Sequence, residues 1–104
     1  MPYMNREVIA VILQARMSSS RLPGKVMLPL HGQPMLSREI ERIRRARRIH
    51  VLAVATSTDT GDDAIQNLCE TERVVCHRGS LNDVLDRYYS AARAISASIV
   101  VRLT

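Results

Sequence analysis

Three observations predict a three-layer α/β domain built on a parallel sheet. The run Val8–Leu13 is continuously apolar and β-rich, the pattern of a strand buried on both faces. Similar runs alternate with stretches whose apolar residues recur at helical spacing. Right-handed crossovers turn that alternation into parallel strands with helices on both faces. The composition is aliphatic: 46% of the 104 residues are hydrophobic, but there are only three tyrosines and no Phe or Trp. The length suits one domain, residues 1–104.

The elements follow in order. After the first strand comes the polar stretch Gln14–Lys25. Leu36, Ile40, Ile43 and Ala46 then recur at helical spacing among Arg and Glu, which predicts an amphipathic helix from about Met35 to Arg47. Val51–Ala55 reads as a second buried strand. Asp62 and Asp63 open a short helix through Ile65 and Leu68, where acids suit the positive end of the helix dipole. Val74–Cys76 reads as a brief third strand. Ser80 to Asp83 supplies N-cap residue types, and a helix to about Ser96 carries the apolar face Val84, Tyr88, Ala91 and Ile95. Ile99–Leu103 is the fourth strand, and the fold is read as truncated after it.

Net charge is +5, which favours an anionic partner: nucleic acid, a phosphorylated small molecule or an acidic surface. The scarcity of aromatics argues against the stacking platforms that grip single-stranded nucleic acid. The basic run Glu41–Arg48 reads first as the solvated face of a helix and second as a nucleic-acid patch. Cys69 and Cys76 lack CxxC spacing and read as inert, reduced thiols. Asp59, Asp62 and Asp63 read as solvated helix-capping acids, and His31, His50 and His77 show no ligand spacing. No run approaches a membrane span and no signal-peptide pattern opens the chain, so a cytoplasmic protein without a membrane partner is expected.

The segment LQARMSSSRLPGK, Leu13–Lys25, follows the first strand at its carboxyl end, where open α/β sheets bind ligands. Arg16 and Arg21 carry forked donors, Lys25 a compact charge, and Ser18–Ser20 hydroxyls. Pro23-Gly24 fits the centre of a type II turn, with φ > 0 at the glycine. A Walker A loop is excluded, because Ser19 stands where its first glycine belongs and Val26 follows the lysine. GxGxxG is absent too. The residues alone leave two readings open, a phosphate cradle and a polar surface loop.

LQARMSSSRLPGKVMLPLHGQPML resembles the opening signature of the cytidylyltransferases that activate sugar acids, the acylneuraminate and deoxy-octulosonate type. The match is closer to the branch named for a spore coat polysaccharide biosynthesis protein. VLAVATSTDTGDDAI, HRGSLNDVLDRYYSAA and SIVVRLT are similar to later segments of that branch, so the resemblance runs from about Val8 to Thr104. It implies a Rossmann-like nucleotidyltransferase fold and a reaction in which a sugar oxygen attacks the α-phosphate of CTP and pyrophosphate leaves. Carried over by position, Arg16 and Lys25 serve catalysis. Gln14, Arg16, Ser20, Arg21 and Lys25 meet the nucleotide, and Ser80, Asp83 and Arg87 sit around the nucleotide or sugar side of the cleft. Magnesium is implied as well, but the family's aspartate ligand follows the last strand and has no counterpart here, so no metal ligand is assigned. The sugar-binding half is likewise absent. The chain is therefore expected to be the nucleotide-binding N-terminal part of such an enzyme, inactive by itself. Two other readings stand beside this one. They are a small basic nucleic-acid-binding module, and an interaction fragment that dimerises to cover an exposed sheet edge.

Overall fold

The computed structural model describes residues 9–18, 24–30, 32–79, 84–95 and 99–103. The chain runs through β1 (Ile9–Gln14), a 3-10 turn (Lys25–Met27), β2 (Pro29–Leu30), β3 (Gln33–Pro34), α1 (Met35–Arg44) and β4 (Val51–Ser57). A second 3-10 turn (Thr60–Asp62), α2 (Asp63–Glu72), β5 (Val75–Gly79), α3 (Val84–Ala94) and β6 (Ile99–Leu103) complete it. The main sheet has four strands in the order β5-β4-β1-β6. Every pair is parallel: Leu13 stands opposite Val54 on one side and Leu103 on the other, and Ala55 opposite His77. This is the α/β architecture that the alternation of runs predicts.

The buried side chains divide by strand alternation. Leu13 and Val54 pack with Leu36 and Ile40 of α1 and Ile65 and Cys69 of α2. Ile12 and Ala55 pack with Ala91 of α3 on the opposite face. Two helices thus cover one face and the third covers the other, as parallel right-handed crossovers demand when the chain first moves outward from β1 and then returns past it. Leu13, Leu36, Ile40 and Ile65 are all essentially inaccessible, and each contributes about 1.5–3 kcal/mol by leaving water. β6 is an edge strand. Ile99, Val100, Val101 and Leu103 stay 36–43% exposed, because nothing among the described residues pairs beyond them.

Boundaries differ from the sequence expectation for local reasons. α1 ends at Arg44, short of the predicted Arg47. The Arg45 N–H turns back to the Arg42 carbonyl and the Ala46 N–H to that of Ile43, and Ala46, the last predicted core contact, is exposed. β5 begins one residue later than predicted and runs on to Gly79, because β4 keeps offering partners to the polar His77 and Arg78. The small antiparallel hairpin of β2 and β3 was not predicted. Its turn includes Gly32 at φ 83, and Pro29 stands opposite Pro34.

α2 stops in a Schellman motif: Val74 N–H donates to the Cys69 carbonyl and Arg73 N–H to the Glu70 carbonyl. The pivot, Arg73, sits at φ 58 and ψ 46, a left-handed conformation that costs an L-residue about 1–2 kcal/mol. The Arg44 guanidinium caps the same end, with Nη2 donating to the carbonyls of Glu72 and Arg73 at 2.7 and 3.1 Å. Cys69 and Cys76 are free thiols that meet across the α2–β5 interface. The hydrogen bond with Cys76, reinforced by burial, pushes the Cys69 thiol up, and the same bond draws the Cys76 thiol down.

Two outcomes follow. Arg73→Gly relieves the left-handed strain, offset in part by the greater freedom of glycine in the unfolded chain. Chemical denaturation should show a gain of about 0.5–1 kcal/mol; no gain would mean that the turn is unstrained. Under native conditions near pH 8, iodoacetamide should modify Cys76 well ahead of Cys69, because Cys76 is both the more accessible and the more readily ionised thiol. Peptide mass spectrometry reads the order, and faster labelling of Cys69 would contradict the packing.

Candidate functional site

The carboxyl edge of the sheet has one distinctive place. From β1 the chain crosses to β4 on one side, whereas β6 returns to the other, so the crossover directions diverge at β1. Open α/β sheets bind ligands at such a switch point. Gln14 ends β1 there, and its Oε1 accepts a 2.6 Å hydrogen bond from Arg87 Nη2 of α3. Arg87 is only 1% exposed. Gly79 makes room for it: a Cβ at that position would approach Arg87 Cγ to 3.1 Å. A buried guanidinium demands hydrogen-bond acceptors, and the pairing places Gln14 and Arg87 in one unit.

The loop after β1 is closed at its base. Gly24 N–H donates to the Met17 carbonyl at 2.7 Å, and Gly24 adopts φ 76, ψ 9, the left-handed position anticipated for the Pro23-Gly24 turn. Met27 and Leu28 N–H groups then bond the carbonyls of Gly24 and Lys25, forming the 3-10 turn that fixes Lys25. Arg16 precedes this closure and Lys25 follows it, and both side chains are exposed at the edge. Lys25 lies close enough to α1 to act on Glu39. Burial lifts the Glu39 carboxyl above its usual range, and the charges of Lys25 and Arg42 pull it back. Ser20, Arg21, Ser80 and Asp83 lie outside the described residues.

Two residues to which the sequence reading gave no role in the site organise the neighbouring loop after β4. Asp62 was expected to be a solvated helix-capping acid. Instead it is 1% exposed: Oδ1 accepts Met17 N–H at 2.7 Å and Oδ2 accepts the Ser57 hydroxyl. Arg78 grips the same loop from β5. Its Nε donates to the Ser57 carbonyl at 2.6 Å and its Nη2 to the Asp59 carbonyl at 2.7 Å, while Nη1 reaches Asp63 at 2.8 Å and Gln66 at 2.6 Å. Local pattern could not reveal either role, because Met17 and Asp62 lie far apart in the chain. Asp59 does stay exposed, with Oδ2 accepting Gly61 N–H.

These engagements bear on magnesium. Asp62 is taken up by Met17 and Ser57, Asp63 pairs with Arg78, and no metal-holding group of three acids, histidines or cysteines occurs among the described residues. The described acids therefore do not fit the ion. The basic run of α1 is also partly engaged: Arg38 and Arg45 pair with Glu41 at 3.5 and 3.0 Å, and Arg44 caps α2. A cavity of about 420 Å³ lies at the opposite edge of the sheet, lined by Ile43, Arg44, His50, Leu52 and Arg73 among others. It is remote from the loop that follows β1. Among the described residues no helix is long and apolar enough to cross a membrane.

Known proteins share both the sequence and this arrangement. The chain is 37% identical over 100 residues to the spore coat polysaccharide biosynthesis protein SpsF of Bacillus subtilis, covering 92% of this chain and 42% of that protein. A solved cytidylyltransferase from Leptospira borgpetersenii serovar Hardjo-bovis superposes with a TM-score of 0.90 at 34% identity, over 95% of this chain and 42% of that one. The structure of CMP:2-keto-3-deoxy-manno-octonic acid synthetase complexed with CTP superposes with a TM-score of 0.74 at 27% identity, over 93% and 39%. The chain thus spans about two-fifths of the length of each. The model of the cytidylyltransferase family matches residues 10–104, so this parallel sheet, with its closed loop after β1, belongs to a member of the cytidylyltransferase family.

Proposed function

We propose that this chain forms the CTP-binding edge of an enzyme that transfers CMP to a sugar acid for the synthesis of a surface polysaccharide. The observation that carries the reading is the loop closed between Met17 and Gly24 at the switch point, with Arg16 and Lys25 flanking its base. In such a transfer a hydroxyl oxygen of the sugar acid bonds to the α-phosphorus and releases its proton to solvent. The bond from that phosphorus to the bridging oxygen breaks, and pyrophosphate departs with the electron pair. Negative charge grows on the departing group, and fixed cations are the economical means of stabilising it. Arg16 and Lys25 take that role, with the backbone on either side of the loop closure held by the fold before the nucleotide arrives.

Gln14 and Arg87 act beside them. The Arg87 hydrogen bond orients the Gln14 amide at the end of β1, the edge where the nucleotide is proposed to bind. The CTP preference is carried over from the synthetase solved with CTP, whose fold this chain shares.

Lys25→Ala tests the assignment. A charge-assisted hydrogen bond contributes about 1.5–3 kcal/mol, so titration calorimetry should show CTP affinity falling about ten-fold or more. The melting temperature should hold, because the side chain is exposed. Equal affinity in variant and parent would remove Lys25 from the site. Tighter binding of duplex DNA than of CTP by the parent would favour a nucleic-acid module instead.

A further inference from the structure

We infer that Asp62 is a positioning residue for the triphosphate loop, a buried carboxylate that sets the relative placement of Arg16 and Lys25 by holding Met17 between them. The inference rests on the function proposed above and adds to it a residue from a different loop.

An aspartate at the start of a helix ordinarily turns its carboxylate onto the helix's own first N–H groups. Asp62 stands at the N-cap of α2 and makes no such bond. Both its oxygens reach outward, Oδ1 to Met17 N–H at 2.7 Å and Oδ2 to the Ser57 hydroxyl. With only 1% of the residue exposed, the carboxylate has given up its hydration for these partners, which is tolerable only because each is a charge-assisted bond. Met17 is the residue where the loop closes on itself, since its carbonyl accepts Gly24 N–H at 2.7 Å. The peptide groups on the two sides of Met17 therefore join three segments: the strand end that carries Arg16, the turn that carries Lys25, and the loop after β4.

The mount itself is rigid. Ser57, which donates to Asp62, also accepts Asp59 N–H at 3.1 Å, and Arg78 fastens the carbonyls of Ser57 and Asp59 from behind. Asp62 N–H closes the 3-10 turn onto the Asp59 carbonyl at 3.0 Å. Two cations that must meet one triphosphate gain from such a support, because misplacement by about 1 Å is costly at a transfer site. Without the carboxylate, Met17 N–H loses its acceptor, and the end of β1 can shift relative to the Lys25 turn.

The test compares the parent with Asp62→Ala, Asp62→Asn and the control Ile65→Val, which trims the core of α2 without touching the loop. Titration with CTP and with CMP separates triphosphate binding from the rest of the nucleotide. Displacing Arg16 or Lys25 enough to lose one charge-assisted contact with the triphosphate predicts that Asp62→Ala weakens CTP about ten-fold or more and leaves CMP nearly unchanged. Asp62→Asn, whose amide oxygen still accepts Met17 N–H, stays near the parent, and Ile65→Val changes neither ligand. Should Asp62→Ala not fold, Asp62→Glu displaces Met17 through one added methylene and is expected to show the same selective loss. Hydrogen exchange at the Gly24 amide gives a readout that needs no nucleotide: it should speed up in Asp62→Ala and Asp62→Glu and not in Ile65→Val. Parent-like CTP binding in Asp62→Ala or Asp62→Glu, equal losses for CTP and CMP in them, or unchanged Gly24 exchange in them would each overturn the inference. If the parent itself binds no CTP, the proposed function fails, and Gly24 exchange alone still decides whether Asp62 holds the loop.

Discussion

The pairing of β1 with a parallel strand on each side governs what the rest of the molecule can do. Once Leu13 is locked between Val54 and Leu103, its neighbours in the chain have no freedom to choose another edge. Gln14 emerges at the carboxyl end, and the loop after it begins where the crossovers to β4 and from β5 diverge. A strand paired on both sides and covered on both faces must be apolar throughout, which is why Ala10–Leu13 carries no chemistry. The chemistry is displaced to the residues immediately beyond, and there the side chains are Gln, Arg and Lys.

Those cations need a support that is not itself mobile, and the fold builds it from opposite charges in the layer below. Asp62 holds the first loop, Arg78 holds the loop that carries Asp62, and Arg87 holds Gln14 from the other face. Each is a charged side chain that commits polar atoms to partners within the protein: backbone groups, the Ser57 hydroxyl, the Asp63 carboxylate and side-chain amides. At the opposite edge the arginines do something different. Arg44 satisfies the last carbonyls of α2 and Arg45 pairs within α1, so the basic run there largely offsets the negative ends of helices. One chain thus uses its positive charge in two ways: compensated by helix ends at one edge, and displayed at the other.

Much of this was legible in the sequence. The apolar run found β1 to within a residue at each end, and the helical recurrence of Leu36 and Ile40 found α1 and the face it buries. Gly24 was placed at positive φ from its position after proline. What escaped was long-range or too short to carry a period. The hairpin of Pro29–Leu30 and Gln33–Pro34 offers two residues per strand, half of them prolines, and no alternation can be read from that. Asp62 looked like any acid at a helix start, because the amide that it binds belongs to Met17 in the distant loop after β1. Arg78 lay inside a polar stretch in which its spacing to Ser57 and Asp63 had no meaning until β4 and β5 were paired.

The central claim is that the triphosphate is held at the loop following β1. Amide chemical-shift mapping of the isotope-labelled chain during a CTP titration tests it most directly, because it reports where the ligand sits without presuming any residue's role. The account predicts that the largest shifts cluster at residues 14–18, at Gly24 and Lys25, and at the Asp62 turn behind them. Shifts concentrated instead around Ile49–Leu52 and Val74–Val75, the walls of the cavity at the far edge, would place the nucleotide elsewhere and contradict it.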